Sequence, residues 1–578
     1  MSELPASRRS LWTLAAILLL AAGLRAFGLD YGLPGIYNPD ETPILNRGLA
    51  IAQDIKPQNF VYPSLYFYLL FVWEGLFFVL GRVAGLYSSV ADFQREFFVD
   101  PSRHFLAGRA FSVVCGTLTV AAVYLLARRL YDRTTGLVAA AAMAVSPIAV
   151  RDAHYVKLDV PTTMFVAFAF AALARIVVDR EAAARRRSWV VAGFLSGLAV
   201  STQYYAIFIG FTICAAAVAE LRRSSGSETL RLFGWSVTAA AAGFFMGSPF
   251  IPFELQRALA DVAHVREVDV DRAMVGGRFT AVVPYLRILL WDAMGWPVWI
   301  AAAVGFVWAL VSDWRRGILL VSFFVPFFAF IANTVPMSRY LNVVLPLVAV
   351  AAGFALVRAG RMFGPASSLA VPVLAVAALV PGLIGGMQWD LFLRRTDTRT
   401  LASDFITSRI PAGSSFLVQP YGPPLRQSRE GLIEGLRAHL GDENAASPKF
   451  KHMLALSPYP EPSYRLIYLG DTGLDKDKIY VLPAEFTPQA GLDPLRQRRI
   501  GYVVLKKSNV PNPEIQGLEQ ALARDGRKLV EFTPYRPGTT PADRARVTPF
   551  LHNTAAVIHP ELERPGPPIE IWEVPPAK

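Results

Sequence analysis

Cysteine is nearly absent: Cys115 and Cys214 are the only two in 578 residues, each inside an apolar block with no ligand-like histidine beside it. That leaves no disulfide framework and no cysteine-based zinc site. Charge is scarce as well, at 18% of residues against about 25% in soluble domains. Histidine occurs seven times and never in a His-Glu helix motif, so the commonest zinc-hydrolase signature is missing. There is no internal repeat, and no low-complexity segment beyond a Pro-rich tail. The first apolar block follows Arg8-Arg9 without a small-residue cleavage signal, and is expected to be a retained helix rather than a signal peptide.

What is present is hydrophobic surface. The chain is 53% hydrophobic and 12% aromatic, with a mean hydropathy of +0.37. Its apolar residues fall in blocks of roughly 17 to 25, the length a helix needs to cross about 30 Å of hydrocarbon. This is the composition of a polytopic α-helical membrane protein. The net charge of +12 comes largely from arginine clusters beside apolar blocks, where the positive-inside bias places them. It reports topology, and nucleic acid is not expected as a partner.

With Arg8-Arg9 cytoplasmic, residues 11–29 cross outward and deliver Tyr37-Asn38-Pro39-Asp40-Glu41-Thr42-Pro43 to the external surface. The Asn-Pro-Asp turn, with Thr42 to cap and Pro43 in the first helical turn, holds two carboxylates before a helix N-terminus. Residues 41–54 read as an amphipathic interfacial helix. Residues 62–87 are long enough to cross, but 105–127 end in Ala127-Arg128-Arg129-Leu130, which belongs in the cytoplasm. Residues 62–87 are therefore expected to be juxtamembrane or re-entrant, with Tyr62 in an aromatic belt at headgroup level.

Residues 135–150 then go out to Arg151-Asp152-Ala153-His154-Tyr155-Val156-Lys157-Leu158-Asp159, and 160–178 return to a loop with Arg180, Arg185, Arg186 and Arg187. A hairpin, 189–201 and 204–219, touches the outside at Thr202-Gln203-Tyr204-Tyr205. Residues 232–251 lead out to a long external loop, 252–295. The segments 296–311, 318–334, 340–357 and 366–387 complete about eleven crossings, with the N-terminus inside and the C-terminus outside. Arg339 sits in an external turn. From residue 388 charge and proline return, and short apolar runs (415–418, 464–469, 478–482, 500–505) alternate with helical stretches such as 398–408. The expected organisation is a membrane domain at 1–387, whose first external loop is 30–103, and an extracytoplasmic α/β domain at 388–578.

This topology gathers Asp40, Asp159 and Lys157 on one membrane face. Ionisable groups at a bilayer boundary pair, line a wet cavity or take part in function. Each also has a plain reading: Asp40 closing a turn, Asp159 capping the helix before Pro161, Lys157 snorkelling, His154 hydrogen-bonded rather than metal-bound.

Four motifs bear on the choice: Asn38-Pro39-Asp40-Glu41, Tyr62-Pro63-Ser64-Leu65-Tyr66, Gly108-Arg109-Ala110-Phe111-Ser112 opening a helix that closes on Arg128-Arg129, and His154 to Asp159 before Pro161. Together they resemble the GT-C glycosyltransferases, in particular the group containing protein O-mannosyltransferases and lipid A aminoarabinose transferases (glycosyltransferase family 39-like). The resemblance covers the chain well to about Tyr205 and loosely beyond. It implies a GT-C fold with juxtamembrane helices and an external active site fed by a polyprenyl-phosphate sugar, in a bacterial inner (plasma) membrane. By resemblance Asp40 matches the first-loop catalytic acid, Glu41 its acidic neighbour and Asp159 the acid of the second external loop. Lys157 and Arg339, with Arg103, are candidates for the donor phosphate; His154, Tyr204 and Tyr62 are further candidate site residues. The family commonly has a Lys-Tyr pair where this chain has Gln203-Tyr204.

The chemistry fits that set. A hydroxyl acceptor needs a base, for which Asp40 is the candidate, typically worth 10² to 10⁴-fold. The leaving polyprenyl phosphate needs only cations. One base without a paired acid predicts inversion, whereas a hydrolase would use two carboxylates about 5 to 10 Å apart. No cofactor is required, although Asp40 and Asp159 could share a divalent cation. The acceptor, whether protein, lipid or glycan, is open. The competing classes are a multi-spanning transporter, which would place its charges near the midplane on repeated halves, and a non-catalytic envelope assembly factor.

Overall fold

The structure, a computed structural model, describes residues 8–179, 181–267, 270, 277–470, 477–487, 490–507, 512–550 and 558–576. Arg180 of the expected cytoplasmic loop and part of the 252–295 loop lie outside the described residues. The first part of the chain is helical: α1 (Arg8–Ala26), α2 (Glu41–Ala50), α3 (Leu65–Val83), α4 (Val90–Val99), α5 (Ser102–Leu130), α6 (Arg133–Ala144), α7 (Pro147–Asp152), α8 (Asp159–Val178), α9 (Ala182–Val200), α10 (Ile209–Glu220), α11 (Gly226–Gly247) and α12 (Leu255–Arg266), followed by helices at Trp296–Ser312, Trp314–Ile331, Leu345–Arg361 and Ser367–Leu393. The last of these runs past the boundary expected at residue 387.

Among the described residues six helices are long and apolar enough to cross a membrane, or seven if the pair Val282–Ala293 and Trp296–Ser312, bent by 115°, is one span. The expectation of about eleven also counted α1, the α6–α7 segment, α9, α10 and α11, which fall short of that length or hydropathy. α3, expected to be juxtamembrane or re-entrant, passes the same test, and its contacts tie it to the ends of α9 and α11 and to the opening turns of α5. Its first residues bond to Ser201 O and to Ser248 Oγ, both at 3.0 Å, where α9 and α11 end. Further along, Trp73 donates to Ala107 O (2.7 Å) and Glu74 meets His104 (3.2 Å), both in the opening turns of α5. Tyr66 also stacks on Phe111, 6.0 Å between ring centroids, so α3 runs antiparallel along the first turns of α5.

Proline accounts for one difference from the sequence reading. The expected crossing 135–150 is two helices, because Pro147 cannot donate to the carbonyl four residues back and its ring crowds that carbonyl. The chain restarts at Ser146, and the exposed carbonyls of Met143 and Ala144 accept from the buried Arg25 guanidinium at 3.1 and 3.0 Å. That break turns α7 and the following loop toward the functional end.

The C-terminal part holds a six-stranded sheet ordered β3-β2-β1-β4-β6-β5, formed by β1 (Ser415–Val418), β2 (Arg465–Leu469), β3 (Ile479–Val481), β4 (Tyr502–Lys506), β5 (Arg527–Phe532) and β6 (Ile569–Glu573). The first four are parallel, with Leu417 facing Ile467 and Val503, and β6 is antiparallel to both β4 and β5. The four apolar runs read from the sequence are β1 to β4. β5 and β6 carry charges between their apolar residues and gave no continuous run.

Helices α9 and α11 approach through small residues. A Cβ on Gly193 would sit 2.1 Å from Ser236 O, and one on Gly197 2.0 Å from Ala240 O. Backbones this close are the purpose of the Gly-xxx-Gly spacing in membrane helices. Gly197→Leu is expected to force the pair apart and to destabilise by at least the ~1–3 kcal/mol of core overpacking. A lowered melting temperature and a reduced monodisperse fraction after detergent extraction would register it; a parent-like melting curve would contradict this packing.

Candidate active site

Four stretches distant in sequence meet at one end of the bundle. The first is the turn into α2. Asp40 N donates to Asn38 Oδ1 (3.1 Å) and Glu41 N to Asn38 O (3.2 Å), so Asn38 rather than Thr42 shapes the turn. Asp40 occupies the N-cap position without making a side-chain cap bond. Its carboxylate turns instead to two cations: Oδ2 lies 3.2 Å from Lys157 Nζ and accepts a short hydrogen bond from Arg339 Nη1.

Lys157 comes from the loop between α7 and α8 and is 1% exposed. Burial pushes its ammonium below the ordinary lysine value, and Asp40 opposes that shift. Arg339 stands in the 3₁₀ turn Ser338–Val344. Its own carbonyl accepts from Asn342 Nδ2 (3.1 Å), the same amide that donates to Asp152 (2.5 Å). Asp152 is held by Arg151 at 2.9 and 2.7 Å, and Arg151 reaches Ser338 Oγ at 3.0 Å. This network fixes the turn that presents Arg339. Asp159, in the first turn of α8, does not cap its helix; Oδ1 accepts from the Tyr205 hydroxyl (3.1 Å) and Gln203 Nε2 (3.4 Å).

These residues line one cavity of about 570 Å³. Asp40, Lys157, Asp159 and Arg339 provide a charged wall, with Tyr62, Tyr204 and Gln203, and Arg266 at the end of α12 adds a fifth charged side chain to the lining. Ile207, Phe208, Val262, Val265, Phe330 and Ile331 provide an apolar wall, on which Ile207 is 65% exposed at the outer surface of the bundle. The site therefore offers a paired cationic seat beside a carboxylate, and an apolar path continuing from it. Among the described residues no group of three or more His, Cys, Asp or Glu could hold a metal ion. Of the two carboxylates on the cavity, Asp40 already faces two cations.

Six of the nine residues singled out from the sequence thus converge: Asp40, Asp159, Lys157, Arg339, Tyr204 and Tyr62. Three do not. Glu41 is completely buried and takes a bidentate pair from Arg109 (2.9 and 2.8 Å) plus the Val156 amide (2.9 Å). With three hydrogen bonds accepted and no exposure to the cavity, it ties α2 to α5 and to the Lys157 loop. Arg103 pairs with Glu96 (2.8 Å) on the exposed start of α5, away from the cavity. His154 is buried with its ring nitrogens against the carbonyls of Val150 (2.9 Å) and Phe27 (2.8 Å). Burial pushes it below the ordinary histidine value, consistent with an internal tie. Tyr205 was missed; its neighbour Tyr204 had drawn attention, yet Tyr205 is the one that bonds Asp159, while Tyr204 donates to Phe60 O (2.9 Å).

The fold is that of the GT-C glycosyltransferases, and the resemblance read from the motifs is borne out. Residues 101–253 match the family model described as dolichyl-phosphate-mannose-protein mannosyltransferase, a stretch running from α5 through α11 that includes Lys157 and Asp159. Among solved structures, ArnT from Cupriavidus metallidurans bound to undecaprenyl phosphate aligns with a TM-score of 0.52 at 13% identity, covering 92% of this chain and 97% of that one. The same protein in the apo state gives 0.53 at 12% identity, covering 90% and 95%. The archaeal oligosaccharyltransferase AglB from Archaeoglobus fulgidus, in complex with an inhibitory peptide and a dolichol-phosphate, gives 0.48 at 15% identity, covering 92% and 74%. No curated protein matches the sequence.

The adjacent acids Asp40 and Glu41 should separate cleanly on mutation. Glu41→Gln leaves the buried Arg109 charge uncompensated, which costs about 3–5 kcal/mol and should appear as a large fall in melting temperature and yield. Asp40→Asn, on a partly exposed side chain whose buried partner Lys157 can shed its proton, should lower the melting temperature by much less. Equal destabilisation by the two would refute this division.

Proposed function

We propose that this protein is a membrane glycosyltransferase that moves a sugar from a polyprenyl phosphate to an acceptor hydroxyl on the extracytoplasmic face, with inversion and with Asp40 as general base. The observation that carries the reading is the single cavity in which a carboxylate and two cations stand beside an apolar wall open at the bundle surface. An isoprenoid phosphate has the complementary form, an anionic head on an apolar chain. The undecaprenyl phosphate held by ArnT, which shares this fold, and the family model's dolichyl-phosphate donor support the same substrate class.

In this reading Lys157 and Arg339 bind the donor phosphate. Doing so draws them from Asp40 and leaves its carboxylate free to accept a proton. The acceptor oxygen attacks the anomeric carbon as the carbon–oxygen bond to phosphate breaks. The bonding pair leaves on the phosphate oxygen, where the two cations stabilise it, and the acceptor proton passes to Asp40. One displacement at the anomeric carbon inverts it. Asp159, anchored by Tyr205 and Gln203, supplies the second negative charge facing the cations. The N-terminus is cytoplasmic and the sheet domain extracytoplasmic in a bacterial inner membrane.

The test is release of polyprenyl phosphate by purified protein given undecaprenyl-phosphate mannose and undecaprenyl-phosphate aminoarabinose, with membrane extract as acceptor source. Asp40→Asn is expected to lower release by about 10² to 10⁴-fold while still folding; undiminished release would remove Asp40 as the base. The reading also sets a pH dependence. Phosphate binding favours protonated Lys157, so donor affinity is full below that residue's depressed value and declines as pH rises through it, short of the ordinary lysine value of about 10.4. Titration of undecaprenyl phosphate should show this decline, and Lys157→Arg should abolish it; a flat profile in the parent would exclude Lys157 from the phosphate site.

A further inference from the structure

The C-terminal domain grips the loop that ends in Asp40. Asp397, the N-cap of the Thr398–Arg409 helix, binds Arg399 bidentately at 2.9 and 2.7 Å and accepts from the Tyr31 hydroxyl at 3.0 Å. The Arg399 guanidinium, 1% exposed, lies 3.9 Å from the centre of the Tyr37 ring. Next to it the Tyr37 hydroxyl shares a 2.6 Å hydrogen bond with Thr400 Oγ1.

The same ring is enclosed by its own loop. A Cβ on Gly32 would come within 2.6 Å of it and one on Gly35 within 2.8 Å, the latter also meeting Pro424 at 2.9 Å. Between them and Tyr37 stands Ile36 at φ +48, the left-handed region that a β-branched residue does not hold without support. On the domain side the Pro565-Gly566-Pro567 strap closes over Asp397: Thr398 N donates to Pro565 O (3.0 Å) and Thr398 Oγ1 to Pro567 O (2.6 Å). A Cβ on Gly566, at φ +100, would strike Asp397 Oδ1 at 2.4 Å. Tyr31, Tyr37, Tyr155, Trp389, Phe392, Tyr535 and Phe550 form one apolar cluster across the junction.

We infer that Arg399 and Tyr37 are positioning residues for the Asp40 carboxylate, so that the C-terminal domain is part of the catalytic apparatus through the guanidinium–ring contact three residues before the base. This rests on the reading of Asp40 as the base. Glu41 anchors the far side of Asp40 to α5, and Tyr37 anchors the near side to the C-terminal domain. With both flanks held, the carboxylate is fixed relative to Lys157 and Arg339. A base displaced by as little as 1 Å loses about 10²-fold in rate, whereas Arg339 keeps its own anchor in the Asn342–Asp152–Arg151 network.

The test uses the full chain carrying Arg399→Gln, Arg399→Lys, Tyr37→Phe or Tyr37→Leu. Hydrogen exchange of residues 30–41 is expected to quicken in Arg399→Gln and Tyr37→Leu with α5 unchanged; unchanged exchange in this loop overturns the clamp without any need for turnover. In the release assay the same two variants are expected to lose kcat by on the order of 10²-fold, with KM for the donor and undecaprenyl phosphate affinity near the parent. Tyr37→Phe, which keeps the ring under the guanidinium, and Arg399→Lys, which keeps the charge, should retain more activity. A double-mutant cycle between positions 37 and 399 should be strongly non-additive in kcat, and additivity would refute the contact's role. If Arg399→Gln folds with parental kcat while Asp40→Asn is inactive, the clamp fails and the base assignment stands. If Asp40→Asn is itself active, the functional reading fails first.

Discussion

An ionised carboxylate sealed inside a protein is costly unless its charge and lone pairs are met, and the Glu41–Arg109 pair meets that condition in a way that organises the functional end. Both side chains are fully buried, and each Glu41 oxygen accepts from the guanidinium. The remaining capacity of Arg109 goes to the carbonyls of Leu29 (2.7 Å) and Tyr31 (2.8 Å), and that of Glu41 to the Val156 amide. One ion pair therefore ties the exit of α1, the start of α2, the second turn of α5 and the residue before Lys157. The consequence is positional: Asp40 and Lys157, each a single residue from a partner in this network, are brought within 3.2 Å.

The other charged side chains of the site are placed by comparable means. Arg339 depends on an Asn342–Asp152–Arg151–Ser338 network that joins its turn to α7, and α7 exists as a separate element because Pro147 breaks the preceding helix. Asp159 depends on the Gln203–Tyr205 stretch at the end of α9. No single helix carries two of the five charged cavity residues. An arrangement assembled from separate connections is sensitive to how those connections are held, which is why the grip of the C-terminal domain on residues 31–37 bears on the proposed chemistry as well as on stability.

Much of this was legible in the sequence. Arginine clusters at alternate ends of apolar blocks placed Asp40, Lys157, Asp159 and Arg339 on one face, and the cavity joins them. The apolar runs at 415–418 and 500–505 declared strands because buried parallel strands are continuous in character. What stayed hidden has physical reasons. Glu41 and Asp40 are adjacent acids, and only the partner reached by each side chain tells a structural carboxylate from a cavity one; sequence holds no record of Arg109 lying across from Glu41. Tyr205 could not be chosen over Tyr204, since the direction of successive side chains in the 3₁₀ turn Tyr204–Phe208 decides which one meets Asp159. β6 alternates Ile and Glu before a Trp-Glu pair and sits far along the chain from its partner β4, so its pairing is a tertiary choice.

The location of charge also bears on the class of protein. A transporter built on interrupted helices keeps its ionisable groups near the bilayer midplane, where alternating access can expose them to either side. Here the cavity's charged residues sit in connections or in the first or last turn of a helix, and Asp40 follows directly on the loop held by the C-terminal domain. Beyond Arg109, α5 carries no charge until Arg128 and Arg129, and the buried Arg25 is committed to the carbonyls of Ala21, Met143 and Ala144. Its guanidinium is a structural tie at a proline break, not a station on a path across the membrane. A cavity with four charged residues on one wall and a largely apolar wall reaching the bundle surface matches a substrate with an anionic head and an apolar tail, the proposed donor class.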